Sequence, residues 1–150
     1  RYLGAEVDLK TSMRSLFGNV MLDVAWSLFE LRMLQDLSSD PNQVWTEITS
    51  HYLYIEPHPE VPWWAMRVQL GGSPGYMVNY GLGAVLTAEI RKRTAQSIGA
   101  LDGGNPEWYG WTSEQLLRFG SERDTRRLLQ DFLGRPPNPE AVLEQIRRMN

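Results

Sequence analysis

The sequence predicts an all-α protein of about six or seven helices, two of them long. Apolar residues recur at three- and four-residue steps over long stretches, which is the spacing of one helix face. A capping residue followed by proline, a common start of a helix, occurs several times. Sustained alternation of apolar and polar residues, which would indicate half-buried strands, is missing from the sequence. At this length the chain is expected to be a single helical domain spanning residues 1–150.

The first long helix is predicted from near Ser12 to Leu37. One apolar stripe at helical spacing consists of Met13, Leu16, Phe17, Val20, Met21, Val24, Leu28 and Leu31. A second stripe consists of Leu22, Trp26, Phe29 and Met33. Because both stripes are apolar, this helix is expected to be covered on more than one side and to lie centrally.

Asp40 and Pro41 predict the start of the second helix, as an N-cap and a first-turn proline. Three prolines between Ile55 and Pro62 exclude regular helix there, so a loop is expected to lead into a short apolar piece around Trp63 and Trp64. Ser73 and Pro74 repeat the cap-then-proline signal. They predict the second long helix, which continues to Ile98 and Gly99.

Three further helices are predicted after a loop and an aromatic cluster. Their expected bounds are Leu116–Phe119 with a cap at Thr112 or Ser113 and an end at Gly120, Ser121–Leu133 with an end at Gly134, and a last helix that opens at Asn138 and Pro139. These segments complete the helix count of the predicted fold.

Tyr76 and Tyr80 are the most informative pair of side chains in the sequence. They are four residues apart, so in a helix their rings lie one turn apart on the same side. Gly75, Gly81 and Gly83 lie around them, and each helical glycine costs about 0.5–1 kcal/mol relative to alanine. Two interpretations follow. Either another helix crosses closely over two buried tyrosines, or the phenols face a ligand across a surface kept low by small residues.

Composition excludes several classes of function. The formal net charge of −3 argues against a dedicated nucleic-acid binder. No apolar run approaches the roughly 18–20 residues that a membrane span requires. Because the sequence contains no cysteine, disulfides and thiol chemistry are excluded, and a cytoplasmic location is the default expectation.

Carboxylates are plentiful but scattered along the sequence, and histidines are few. The only histidines are His51 and His58, and Pro57 between them breaks any helical ligand spacing, so no zinc site is predicted within this chain. Glu30 is notable because Phe29 and Leu31 flank it in the most apolar helix. If it is buried, we expect an arginine or hydroxyl partner, since an unpaired interior carboxylate is costly.

Several short motifs follow one another in a defined order. Leu28–Arg32 reads Leu-Phe-Glu-Leu-Arg, and Gly75–Gly83 reads Gly-Tyr-Met-Val-Asn-Tyr-Gly-Leu-Gly. Trp45 and the Val61–Pro62 loop lie between them, and Leu116–Gly120 and Leu133–Gly134 follow. In these motifs and their order, the chain resembles the C-terminal part of a helical zinc metallopeptidase. The resemblance is closest to the Taq-type thermostable metallocarboxypeptidases and more distant to oligoendopeptidase F.

This resemblance implies a site that the chain shares with an upstream catalytic half of the same protein. In such families a histidine-glutamate-x-x-histidine helix and a later glutamate hold zinc, and both would precede Arg1. Zinc is therefore expected in the complete protein, with none held by this chain. The resemblance implies that Tyr80 in the first place, and Tyr76 only in the second, hydrogen-bonds the peptide substrate or the oxyanion. The residues it implies for substrate binding are Arg67, Gly75 and Gly83.

Two departures from the family pattern are visible. The segment before the tyrosines, Arg67–Gly72, has no histidine, and Val78 stands where oligoendopeptidases have a tyrosine. Two functions therefore remain open. The first is a peptidase subdomain that forms one wall of the substrate groove and that could dimerise through an exposed apolar face. The alternative is a non-catalytic helical module that binds a peptide or protein in a groove lined by the two tyrosines, Trp63 and Trp64.

Overall fold

The computed structural model of the protein describes residues 8–101 and 104–148. Over these residues the secondary structure is helical, without strands, which confirms the predicted all-α class. The helices are α1 (Leu9–Gln35), α2 (Pro41–Leu53), α3 (Val68–Gly72), α4 (Val78–Ile98), α5 (Glu107–Gln115), α6 (Thr125–Leu133) and α7 (Glu140–Arg147), with 3₁₀ turns at Trp63–Met66 and Leu117–Phe119. Of the helices described, none is both long enough and apolar enough to cross a membrane.

The described chain forms two compact units, residues 8–83 and residues 84–148. We call them the first unit and the second unit. Helix α4 belongs to the first unit up to Gly83 and to the second unit from Ala84 onward. The candidate site described below lies within the first unit.

An aromatic stack forms the core of the first unit. The rings of Trp26 on α1 and Trp45 on α2 are stacked with centroids 3.8 Å apart, and Phe29 meets both edge-on. Ile48 and Met77 complete the cluster, each almost fully buried. The core therefore forms on the second predicted stripe of α1, where the large rings offer the most apolar area.

The other stripe of α1 is buried only in part. Leu16 and Leu31, both predicted to be covered, are 51% and 42% exposed, whereas Phe17 on the same stripe is buried. The expectation that α1 is covered on more than one side along its length is therefore wrong for these positions. Both stripes are apolar, but α2 packs against the aromatic one.

The two cap-then-proline signals have different outcomes. Asp40 caps α2 as predicted, since its carboxylate accepts the N–H of Asn42 at 2.8 Å. Ser73 instead follows the end of α3, and its carbonyl accepts the N–H of Tyr76 at 3.0 Å. Proline followed by Gly75 with a φ of 86° is typical of a type II turn. The predicted start of the second long helix is therefore wrong, and α4 begins at Val78.

The core of the second unit consists of Leu116, Leu128 and Phe132, with Trp111 packed against them. Gly134, in the left-handed conformation, ends α6 as predicted, but Asp124 rather than Ser121 caps its start. Thr112 and Ser113 lie inside α5 and cap no helix. The Asn138 side chain accepts the N–H of Glu140 at 2.9 Å where α7 opens, close to the predicted start.

Gly81 and Gly83 provide a matched pair of glycines within α4. A Cβ on Gly81 would lie 2.9 Å from Ser27 Oγ, whereas a Cβ on Gly83 would meet nothing within 4 Å. We expect Gly81→Ala to lower the free energy of unfolding by about 1–3 kcal/mol, because Ser27 must move away from its hydrogen bonds. Gly83→Ala should raise it by about 0.5–1 kcal/mol through helix propensity. Urea unfolding of both variants measures the difference, and equal effects would contradict the close helix crossing.

Candidate functional site

Tyr76 and Tyr80 form an exposed pair at the start of α4. Their ring centroids are 5.9 Å apart in an edge-to-face arrangement, which confirms that they share one side. Their side chains are 45% and 37% exposed, so the interpretation that they are buried at a helix crossing is wrong. Together with Asn79 they line a shallow concavity of about 210 Å³. The concavity therefore presents two phenols and one amide to solvent.

Both phenol hydroxyls are available for an external ligand. Within the described residues, neither hydroxyl hydrogen-bonds another part of the chain. A phenol hydroxyl can donate one hydrogen bond and accept others, and it is neutral at physiological pH. The pair can therefore donate to a carbonyl or oxyanion without bringing a charge.

Ser27 on α1 holds the first turn of α4 in place. Its buried hydroxyl accepts the N–H of Gly81 at 3.1 Å and lies 2.9 Å from the Met77 carbonyl oxygen, to which it can donate. A side chain at Gly81 would occupy the same space as the hydroxyl. The predicted close approach of another helix is therefore real, and it occurs at Gly81.

Glu30, also on α1, caps the start of the tyrosine segment, by which we mean residues 75–80. It is only 3% exposed, and its carboxylate accepts the N–H of Gly75 at 2.8 Å and the N–H of Val78 at 3.1 Å. The first N–H groups of a helix have no partner inside it, and the helix dipole favours a negative charge there. The predicted arginine or hydroxyl partner is wrong, because two backbone N–H groups donate to the carboxylate instead. Glu30 and Ser27 thus hold the backbone on both sides of Tyr76.

A larger, mostly apolar cavity lies elsewhere in the first unit. It measures about 490 Å³, and its lining includes Phe29, Met33, Leu34, Trp64, Leu70 and Pro74. Arg67 and Glu30 supply its charged groups. The Arg67 guanidinium lies 4.9 Å from the centre of the Trp26 ring, in a cation–π contact. Burial raises the pKa of the nearby Asp23 carboxyl, and the positive charge of Arg67 partly opposes that rise.

The structure brings together only some of the predicted site residues. Tyr76 and Tyr80 share one concavity, and Gly75 directly precedes them in the turn. Arg67 instead lines the apolar cavity. Gly83 lies on an exposed part of α4 with open space beside it. The groove predicted to join the tyrosines with the tryptophans is two separate concavities, since Trp64 lines the apolar one and Trp63 lines neither.

Sequence reasoning missed Ser27 and Asn79. Ser27 lies three residues before Glu30 on the same face of α1, so the spacing of these two polar residues in an apolar helix was a usable signal. Asn79 carried no such signal, because its position beside the phenols depends on where α4 begins.

No metal site is found among the side chains that the structure describes, since no three histidine, aspartate or glutamate residues come together in a suitable group. His51 lies against the Tyr52 ring, and the Nδ1 atom of His58 lies 2.6 Å from the Glu56 carbonyl oxygen. The described residues therefore do not fit a zinc ion.

Comparisons with protein family models, with curated proteins and with solved structures find no match to this chain. No family is therefore assigned. The relationship to zinc metallopeptidases remains a prediction from the motifs, and the geometry of the first unit supplies the physical argument for a function.

Proposed function

We propose that the first unit forms one wall of the peptide-binding groove of a zinc-dependent peptidase. In this role, Tyr80 and Tyr76 donate hydrogen bonds to a carbonyl oxygen of the bound peptide. The observation that carries the proposal is the arrangement of the two phenols. They are adjacent, half exposed and without an acceptor among the described residues, on a backbone that Ser27 and Glu30 hold in place.

Anchored donors of this kind suit acyl transfer. When a nucleophile attacks a peptide carbonyl, negative charge develops on the oxygen, and donors already in position stabilise that charge without reorganising. The buried contacts of Ser27 and Glu30 fix the backbone from which both tyrosines project. The backbone that carries the donors is therefore ordered when the protein folds rather than when the peptide reacts.

The other predicted residues take supporting roles in this proposal. Gly75 lets the chain turn just before Tyr76, and Gly83, three residues after Tyr80, keeps the helix surface low where a peptide would pass. Asn79 can donate to and accept from a peptide backbone. Arg67 offers a positive charge to a peptide that also reaches the apolar cavity.

In this role the chain binds the peptide and polarises its carbonyl group, and it contributes no metal chemistry. The described residues do not fit zinc, and in this proposal the ion is held by the upstream catalytic half of the protein. The resemblance places those residues in a histidine-glutamate-x-x-histidine helix encoded before Arg1. Reading the gene upstream of Arg1 tests that part of the proposal directly.

A second candidate function is a non-catalytic peptide-binding module. The apolar cavity of about 490 Å³ favours it, because that volume and lining suit apolar side chains of a bound peptide. In this case the peptide is held mainly by the cavity around Trp64, and the phenols contribute little.

Peptide titration followed by amide NMR distinguishes the two candidates. We expect a blocked hexapeptide of mixed sequence to shift the amide signals of Tyr76, Asn79 and Tyr80. The double variant Tyr76→Phe/Tyr80→Phe should weaken binding by about 5-fold or more, since each neutral hydrogen bond contributes roughly 0.5–1.5 kcal/mol.

Tyr54→Phe and Tyr109→Phe are the matched controls, because these tyrosines are 91% and 79% exposed and line neither concavity of the first unit. Their affinities should equal that of the wild type. Shifts confined to the lining of the apolar cavity, with unchanged affinity in the double variant, would contradict the role of the phenols and favour the second candidate.

A further inference from the structure

The second unit contains a small polar cavity that the proposed function does not use. It measures about 200 Å³ and is lined by Glu89, Lys92, Arg93, Gln96, Leu133 and Arg135. Three cations and one carboxylate thus surround it, in a chain whose net charge is −3. Leu133 is its one apolar lining residue, so the cavity suits a small polar molecule.

Glu89 has one oxygen that lacks a donor. The side chain is 1% exposed, and Oε2 accepts a hydrogen bond from Arg135 at 2.5 Å. Oε1 is buried and has no hydrogen-bond partner among the described residues. Buried charged groups normally have all their strong hydrogen bonds satisfied, so Oε1 calls for a donor that the described residues do not supply.

The guanidinium groups in the cavity have donors to spare. Arg93 donates through Nε to the Phe132 carbonyl oxygen at 3.1 Å, and its terminal nitrogens meet no acceptor in the described part of the chain. Lys92 is already paired with Glu144 at 2.6 Å. Arg135 donates from one terminal nitrogen to Glu89 and from the other to the Pro136 carbonyl oxygen at 3.0 Å, which leaves three of its five N–H donors for a ligand. Arg93 and Arg135 are therefore the groups that an anion would meet, beside a carboxylate that needs a donor.

We propose that this cavity binds a free α-amino acid. The ammonium group donates to Glu89 Oε1, and the carboxylate accepts from Arg93 and Arg135. A simple anion would leave Oε1 without a donor, and a simple cation would leave the guanidinium groups without an acceptor. An α-amino acid zwitterion satisfies both, with a charged donor for the carboxylate and a charged acceptor for the guanidinium groups.

Arg135 lies at the exposed side of this ion pair. Its side chain is 41% exposed and that of Glu89 is 1% exposed, so in this proposal the Arg135 side chain moves when the ligand enters. The cavity volume limits the ligand to amino-acid size, with little apolar contact beyond Leu133. This inference rests on the second unit alone and is independent of the proposed function in the first.

Isothermal titration calorimetry of the whole chain tests the proposal. We expect L-alanine to bind, and acetate and methylammonium to bind about tenfold more weakly or worse, because each lacks one charged group. Arg93→Gln and Glu89→Gln should each weaken alanine binding about tenfold or more. Arg126→Gln, on an exposed position of α6, is the matched control and should bind alanine like the wild type.

Several outcomes would overturn the amino-acid site. Absence of alanine binding would do so, as would acetate or inorganic phosphate binding as tightly as alanine, which would make this an anion site only. Unchanged affinity in Arg93→Gln would do so as well. If circular dichroism shows that Glu89→Gln does not fold, Arg93→Gln still decides the question, since the Arg93 side chain is exposed and its loss leaves the Glu89–Arg135 pair intact.

Discussion

Glu30→Ala is expected to lower the free energy of unfolding by about 3 kcal/mol, because hydrogen bonds to a charged acceptor contribute roughly 1.5–3 kcal/mol each. The variant leaves the N–H groups of Gly75 and Val78 without an acceptor at the start of α4. For a chain of this length the loss corresponds to a decrease in melting temperature of roughly 6–12 °C. Thermal and urea unfolding followed by circular dichroism measure the effect.

Glu47→Ala is the matched control for this prediction. Glu47 is an exposed carboxylate on α2, with Arg32 at 3.8 Å, and such a pair contributes little. Its removal should change stability by less than about 0.5 kcal/mol. Hydrogen exchange gives a local readout, since the amides of Gly75 and Val78 should exchange faster in Glu30→Ala than in Glu47→Ala. If the two variants have the same stability and exchange rates, Glu30 does not cap the tyrosine segment.

Tyr80→Phe is expected to reduce peptide turnover by about 10²–10³-fold in the protein that carries the metal-binding part, as removal of an oxyanion donor does elsewhere. The substitution removes only the hydroxyl, and that hydroxyl makes no hydrogen bond within the described residues. The fold and the melting temperature should therefore stay unchanged. Because the hydrogen bond strengthens as charge develops on the carbonyl oxygen, the loss should fall mainly on kcat rather than KM.

Tyr109→Phe is the control for turnover, since Tyr109 is exposed on α5, in the second unit. It should retain full activity. Tyr76→Phe should have a smaller effect than Tyr80→Phe, in keeping with the weaker assignment that the motif gives it. Turnover of Tyr80→Phe within a few-fold of wild type, with wild-type stability, would remove the catalytic role from Tyr80 and favour the non-catalytic peptide-binding module.

Predictions from capping and helix-breaking residues are confirmed where the residues concerned are neighbours in sequence. Asp40 caps α2, Gly134 ends α6, and the proline-rich segment after α2 forms a loop, because each outcome depends on the backbone within a few residues. Ser73 and Pro74 match the same capping rule and yet form a turn. The difference lies in Gly75, whose positive φ ends any helical path, and in Glu30, which supplies the cap from a distant helix.

The arrangement of the candidate site follows partly from sequence spacing and partly from tertiary contacts. That Tyr76 and Tyr80 share one side follows from their spacing, and the structure confirms it. Their exposure could not be predicted, since an amphipathic tyrosine fits a core as well as a groove. The partner of Glu30 also lies beyond sequence reasoning, because its acceptor bonds join residues 45 and 48 positions apart.

The helical class, the location of most helices and the shared face of the two phenols all follow from patterns in the amino-acid sequence. Helical periodicity, caps and breakers act over a few residues, so they can be read along the chain. Three features depend on tertiary contacts. Helix α1 packs through its aromatic stripe, the Ser27 hydroxyl lies close to the backbone of Gly81, and Glu30 caps α4. Such contacts depend on which surfaces meet after the chain folds, and apolar area alone does not specify that choice.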